Sequence, residues 1–192
     1  MLSERQQQII ETSIALIDQK GIQGFTIKNL SKAIGISEPA IYRHFESKFE
    51  ILATILDAFK IQITSFQDKF SHMDKDAFTK LAMLFSNRFA AFAENPALVS
   101  VVFSEEIFQN EEKLTKKVNE IYYLNEMMLV SILEQARKEG LIEKDADVNI
   151  LALMILGSIR LLVKKWKMTQ YSFNLQDEGK KIMDSTIKML KI

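Results

Sequence analysis

The chain has 192 residues, 47% of them hydrophobic, and its 25 basic and 25 acidic residues give a formal net charge of zero. This length allows one or two small domains with a substantial apolar core. Cysteine is absent and only His44 and His72 are present, which excludes disulfides and thiolate metal sites and argues against a histidine cluster. We therefore predict no metal site and no cofactor.

Two further features bear on location. No N-terminal segment has the charged, apolar, then small-residue order of an export signal. The longest apolar stretch, residues 150–156, is far too short to cross a bilayer. We expect a cytoplasmic protein without a membrane partner.

The first helix is predicted from about Ser3 to Lys20, where Gly21 ends it. Its apolar stripe has helical spacing and comprises Ile9, Ile10, Ile14 and Ile17. A second helix is predicted from Ile27 to Ile34 and a third from Glu38 to His44.

A sharp corner, Gly35-Ile36-Ser37, joins the second and third helices. Glycine takes a positive φ at a helix end without a Cβ clash, and Ser37 can cap the next helix. Pro39 suits a first helical turn. The apolar residues around the corner are spaced to face inward: Leu30, Ile34, Ile36, Ile41 and Phe45. This pattern is typical of a helix-turn-helix whose second helix enters the DNA major groove.

These residues resemble the DNA-binding end of TetR-family transcription regulators over roughly the first 55 positions. The motifs that carry the resemblance are Thr26, Gly35-Ile36-Ser37, Tyr42-Arg43-His44-Phe45 and Ser47-Lys48. Two departures stand out. Ser31 replaces the usual alanine, and Glu38-Pro39-Ala40 replaces the commoner basic opening of the recognition helix. Glu38 would repel phosphate, so it either accepts from a cytosine amino group or points away.

From this resemblance and the corner geometry we predict a DNA-contacting set of ten residues: Thr26, Lys28, Ser37, Glu38, Pro39, Ala40, Tyr42, Arg43, His44 and Lys48. Alternatives remain for three of them. Tyr42 could pack its ring against the first helix, His44 could cap a helix end, and Lys48 could be solvated. The zero net charge hides a local excess, because five cations and two carboxylates between Lys20 and Lys48 leave plus three.

Beyond residue 46 the pattern is helical throughout. The predicted segments are a fourth helix from Ser47, with a Ser47–Glu50 capping box, to about Phe70; then Asp74 to Asn95, Ala97 to Phe108, Asn110 to Gly140, Asp145 or Asp147 to Trp166, and Asp177 to Leu190. We predict an all-α protein. Residues 1–50 would form a helix-turn-helix DNA-binding domain and residues 51–192 a helical effector-binding and dimerisation domain, with the boundary inside the shared fourth helix.

The C-terminal region holds 10 of the 13 phenylalanines and suggests an apolar effector chamber, although a packed core explains the same pattern. The predicted ligand set is Phe66, Phe85, Arg88, Phe89, Phe92, Phe103, Tyr122, Asn125 and Met128. Tyr123 and Met127 are expected in the same interior. Asn125 lies on an apolar stripe, so it needs either a ligand or another side chain as partner. Arg88 could equally face solvent.

The segment from Ala152 to Trp166 resembles the penultimate helix of the family, which pairs with its twin in a second chain. Gly157 would allow close approach of two helices. The predicted interface residues are Leu153, Leu156, Gly157, Arg160, Leu161, Ile182 and Ile187. Lys164, Lys165 and Lys167 are interpreted as cations at a helix C-terminus rather than a nucleic-acid patch.

The resemblance implies a homodimeric transcription regulator, most often a repressor, released from its operator by a small and largely apolar effector. Its partners would be double-stranded DNA, a second copy of the chain and the effector. A helical ligand-binding or scaffold protein without DNA binding is the alternative. A small helical enzyme is a third reading, but no nucleophile–base constellation supports it.

Overall fold

The computed structural model describes residues 2–103 and 111–192. Those residues form nine helices and no strand, so the all-α prediction is confirmed. The helices are α1 (Glu4–Gly24), α2 (Ile27–Ile34), α3 (Glu38–Tyr42), α4 (Lys48–Ser71), α5 (Ala77–Glu94), α6 (Pro96–Val102), α7 (Glu112–Lys138), α8 (Val148–Met168) and α9 (Leu175–Leu190). Across the described ranges, every helix is too short or too polar to span a lipid bilayer.

The chain divides into two compact units. The first unit consists of Met1–Gln62 and Ala97–Ile121, and the second of Ile63–Pro96 and Tyr122–Ile192. Helices α4 and α7 each contribute residues to both units. The functional division that we placed after residue 50 stays a prediction.

The first helix begins where the sequence indicated and ends later. Ser3 caps α1 in a complete capping box with Gln6. Gly21 interrupts the helix with a φ of 67°, and a further turn then continues to Gly24. The prediction that the helix stops at Gly21 was therefore wrong by one turn. The chain leaves this turn at Phe25, whose N–H donates to the Ile22 carbonyl at 3.1 Å.

The start of α4 has half of the predicted capping box. Ser47 Oγ accepts from the Glu50 amide at 3.2 Å. The Glu50 carboxylate accepts from the Glu46 amide, one residue before the position that the box requires. Both free amides at this helix start are still satisfied locally.

Helix α9 packs against α5 and α8 in the second unit. The closest approach is at Gly179, where an added Cβ would lie 2.2 Å from Cδ2 of the Phe89 ring. Both residues are buried, so Phe89 occupies the space that any larger residue at 179 would need.

Caps explain most shifts in helix boundaries. Asp76, Asp147 and Asn174 accept backbone N–H donors at the starts of α5, α8 and α9. Helix α5 therefore begins three residues later than predicted, and α9 begins earlier, at Leu175. Helix α6 ends at Val102; the predicted extension to Phe108 and the predicted helix start at Asn110 lie outside the described residues.

Candidate functional site

The corner between α2 and α3 is fixed by hydrogen bonds to one carbonyl. Gly35 has a φ of 80°, and the amides of Gly35 and Ile36 both donate to the Ser31 carbonyl, at 2.9 and 3.0 Å. This is the glycine-terminated helix end that the sequence predicted. Ser31 is buried, and its hydroxyl donates to the Lys28 carbonyl at 3.0 Å. Serine is thus accommodated where the family pattern has alanine.

A closely packed apolar core supports this corner. Ile41 and Phe45 are 0% and 3% exposed, which confirms their predicted core positions. Phe25 and Leu30 beneath them are fully buried. Helix α3 ends at Tyr42, two residues earlier than predicted, and a turn carries the chain through His44.

The outer face of α2 and α3 is uncovered within the first unit. Tyr42 is 50% exposed, so within this chain its ring is not packed into the core. The other exposed members of the predicted DNA-contacting set are Thr26, Lys28, Ser37, Glu38, Pro39 and Arg43, while Ala40, His44 and Lys48 are partly buried. The structure therefore brings the ten residues onto one small unit, and their contact with DNA stays a prediction.

Ser37 does not cap α3 with its side chain, contrary to our expectation. Its backbone has N-cap geometry, but Pro39 at the second helical position has no N–H. The Ala40 amide at the third position already donates to the Ser37 carbonyl at 2.9 Å. The amides that a capping hydroxyl needs are absent or occupied. Thr26, in contrast, caps α2 by accepting from the Asn29 amide at 3.1 Å.

His44 and Lys48 are held at the edge of this face. The His44 carbonyl accepts from Gln6 Nε2 at 3.3 Å, which ties the end of the recognition segment to α1. Lys48 Nζ lies 5.5 Å from the centroid of the Phe49 ring, a cation–π distance. Lys48 is therefore positioned in the first turn of α4, where free amides favour an anion.

In the second unit, Arg88 of α5 donates through Nη2 to Asn125 Oδ1 of α7. The expectation that Asn125 needs a partner is confirmed, and the partner is a side chain. The alternative that Arg88 faces solvent was wrong, since its side chain is partly buried. Removal of water around the guanidinium lowers the pKa of Arg88 to about 10. Arg88 still carries its charge at neutral pH.

Several predicted ligand residues are packed core in this structure. Phe85, Phe89, Phe92 and Met128 are each at most 5% exposed, and the rings of Phe85 and Phe89 meet edge to face at 6.0 Å. Phe66 stacks on Phe70 at 5.2 Å. Phe103 is partly buried and belongs to the first unit, whereas the others belong to the second.

The aromatic interior predicted along α7 was wrong for three residues. Tyr122, Tyr123 and Met127 are 41%, 61% and 43% exposed. At ~100° per residue, Tyr123 lies ~200° round the helix from the buried Ile121. Tyr122 is at the border of the buried face and contacts Arg160, whose guanidinium donates to the Tyr122 hydroxyl and lies 5.6 Å from its ring centroid.

Two grooves in the second unit include predicted ligand residues. One of about 520 Å³ lies between α5 and α9 and is lined in part by Phe85 and Phe89. The other, of about 350 Å³, is lined in part by Met128, Lys80 and Gln135. Lys80 Nζ donates to Gln135 Oε1 at 2.9 Å. Sequence reasoning missed these polar residues, because lysine and glutamine on a helix ordinarily indicate a solvated face.

Helix α8 carries an uncovered apolar stripe. We call it the outer stripe: Ile150, Leu153, Met154, Gly157 and Leu161. Its four large side chains are 53–68% exposed, and an added Cβ at Gly157 would meet no atom within 4 Å. Spacings of three and four place these residues on one face. The other predicted interface residues are partly buried, namely Leu156, Arg160, Ile182 and Ile187. Ile150 and Met154 were missed by the sequence prediction.

Two family models match most of the chain. Residues 9–55 match the model described as "Bacterial regulatory proteins, tetR family". Residues 58–189 match the model described as "YsiA-like protein, C-terminal region".

Similar proteins cover nearly the whole length. The chain is 30% identical to the fatty acid metabolism regulator protein of Bacillus subtilis (strain 168) over 173 residues, 88% of this chain and 86% of that protein. It is 21% identical to the probable acrEF/envCD operon repressor of Escherichia coli (strain K12) over 187 residues, 95% and 85% of the two chains.

Solved structures agree with the fold. The transcriptional regulator FadR from Bacillus subtilis, in complex with stearoyl-CoA, superposes with a TM-score of 0.80 at 25% identity, covering 94% of this chain and 97% of that one. The ketosteroid transcriptional regulator KstR2 of Mycobacterium tuberculosis gives a TM-score of 0.86 at 18% identity, covering 100% and 97%. This second likeness shows the fold alone.

Proposed function

Because the chain belongs to the TetR family and is a DNA-binding, ligand-responsive transcription regulator, we propose that it acts as a homodimeric repressor that long-chain acyl-CoA releases from its operator. The observation that carries the proposal is the uncovered outer face of α2 and α3 on a well-packed corner. Tyr42 is 50% exposed there, directly beside the fully buried Ile41.

The charges of this face support contact with the DNA backbone. Lys28 and Arg43 are exposed, and Lys48 lies at the N-terminus of α4. The hydroxyl of Ser37 is not used as a cap, so it can donate to a phosphate. Two such faces in a dimer would reach successive major grooves, about 34–36 Å apart.

Likeness to two fatty-acid regulators supports the effector class. The Bacillus subtilis relative is described as a fatty acid metabolism regulator, and the Bacillus subtilis FadR structure holds stearoyl-CoA. The second unit here is rich in buried apolar side chains and has grooves of about 350 and 520 Å³. Such surroundings suit an acyl chain, whose burial contributes ~0.8 kcal/mol per CH₂ group.

The outer stripe of α8 supports self-association. Four large apolar side chains are more than half exposed on one helix face, which water disfavours and a second copy would cover. Gly157 in the middle of the stripe would let the two α8 helices approach closely.

Helix α4 (Lys48–Ser71) is the proposed link between effector and operator, since it contributes residues to both units. An effector that binds better to the spacing that misfits DNA needs only ~1–3 kcal/mol of coupling to weaken operator binding 5- to 150-fold.

The test begins with selection of DNA from a random pool by the purified protein. We expect a near-palindromic sequence whose half-sites lie one helical turn apart, and binding that weakens as salt rises. Failure to enrich any sequence would favour the helical ligand-binding or scaffold alternative.

Adding stearoyl-CoA to the selected operator complex then tests the effector. Release of the DNA at micromolar ligand is expected, with free CoA as the control. Stearoyl-CoA that binds the protein without changing operator affinity would contradict the coupling through α4.

A further inference from the structure

Arg88 is a cation with few partners. A guanidinium has five N–H donors, and in the described part of the chain the hydrogen bond of Arg88 goes to Asn125, an uncharged amide. Every ion pair that the described residues form involves another cation, namely Lys60, Lys117, Arg137, Lys180 or Lys181. Arg88 is therefore partly withdrawn from water without a carboxylate to balance it.

Its surroundings on α5 are apolar. Phe85 and Phe92, three residues before and four after Arg88 on the same helix face, are 1% and 5% exposed. The lowered pKa of Arg88, about 10, has loss of water as its cause, with no counter-charge to raise it again. A charge in such a position is costly unless an acceptor arrives, and an apolar residue of similar size would generally be tolerated.

We propose that the Arg88 guanidinium binds the acyl oxygen of the effector, and that Asn125 is a positioning residue that orients the guanidinium. This inference deepens the proposed function and rests on it. The acyl oxygen is either the thioester carbonyl of an acyl-CoA or the carboxylate of a free fatty acid.

One guanidinium among phenylalanines fits a single acceptor group at the head of an apolar chain. The phosphates of CoA carry several negative charges that prefer several cations and water. Asn125 holds one Nη2 donor in place from the neighbouring helix, which limits rotation of the guanidinium plane and leaves its other N–H groups directed elsewhere.

The experiment compares three probes in direct binding measurements: stearoyl-CoA, the octadecyl thioether of CoA, which lacks the carbonyl, and stearate. The wild-type protein should prefer stearoyl-CoA over the thioether by about 10- to 100-fold, the range for a hydrogen bond to a charged group. Arg88→Met should abolish that preference while leaving thioether affinity unchanged. Arg88→Lys should restore part of it, because Lys keeps the charge and a donor.

Two further variants separate positioning from general damage. Asn125→Leu should reduce the carbonyl preference several-fold without weakening thioether binding, a change that a purely structural role would not produce. Arg137→Met is the matched control, since Arg137 pairs with Glu134 at 2.6 Å on the same unit, and its carbonyl preference should equal that of the wild type.

Each outcome decides something. Equal carbonyl preference in wild type and Arg88→Met would overturn the inference and leave the proposed function intact. Arg88-dependent binding of stearate alone would support the inference with a carboxylate as the source and reject acyl-CoA as effector. Binding of none of the three probes would overturn both. A melting temperature of Arg88→Met several degrees below wild type would assign Arg88 a structural role and also overturn the inference.

Discussion

Leu161→Asp places a carboxylate on the outer stripe of α8. Leu161 is 68% exposed in the single chain, so the substitution should change the folding free energy of one chain by less than ~0.5 kcal/mol. Full burial of a leucine contributes ~1.5–3 kcal/mol, and covering the exposed two thirds in a dimer therefore contributes ~1–2 kcal/mol. Each dimer contains two copies, which gives ~2–4 kcal/mol before the cost of dehydrating the carboxylates.

This loss corresponds to an increase of roughly 30- to 900-fold in the dimer dissociation constant. Sedimentation velocity over a range of protein concentrations measures it directly, with circular dichroism as the check on helicity. Ile61→Asp is the matched control, because Ile61 is 63% exposed but lies on α4. An unchanged dissociation constant in a folded Leu161→Asp protein would refute the assignment of the outer stripe to the dimer.

Three other substitutions address the remaining parts of the chain. Tyr42→Ala should keep its helicity and lose operator binding in a gel-shift titration; unchanged affinity would remove Tyr42 from the DNA-contacting set. Gly179→Ala should lower stability by ~1–3 kcal/mol in thermal melts, because its Cβ would lie 2.2 Å from the buried Phe89 ring. Combining it with Phe89→Leu should cost less than the sum of the two single changes, and strict additivity would contradict the clash. Asp76→Ala should cost ~0.5–2 kcal/mol through loss of the α5 cap. Donors from Thr79 hold the pKa of Asp76 below its usual 3.8, so the capping contribution is present above that pH and is lost as pH falls through the lower folded value. A difference between wild type and Asp76→Ala that persisted undiminished into stronger acid would contradict this explanation.

The corner between α2 and α3 could be predicted because its causes are local. A glycine that needs a positive φ, a following apolar residue and helical spacing of Leu30, Ile41 and Phe45 all lie within about 20 residues. No distant contact is required to select that conformation. The same reasoning placed the all-α fold, since each long segment has its own apolar stripe and its own end signals.

Errors arose where a second element decides the outcome. Helical spacing identified an apolar face on α7 but could not show how wide it is, so Tyr123 and Met127 were assigned to an interior that they do not share. Ser37 fits a capping position by type, yet the missing N–H of Pro39 and the occupied amide of Ala40 remove its donors. Arg88 and Asn125 are 37 residues apart, and their pairing depends on how α5 and α7 meet.

The cations of the α2–α3 face also set how the regulator tolerates changes in its ionic surroundings. Lys28, Arg43 and Lys48 are three per chain, so a pair of chains neutralises at most about six phosphates, and the logarithm of the association constant should fall with the logarithm of salt at a slope of about −5. Uncharged donors such as Tyr42 release no condensed counterions. A cell that concentrates its electrolytes under osmotic stress would therefore loosen this regulator less than one that grips its site with ten or more charges.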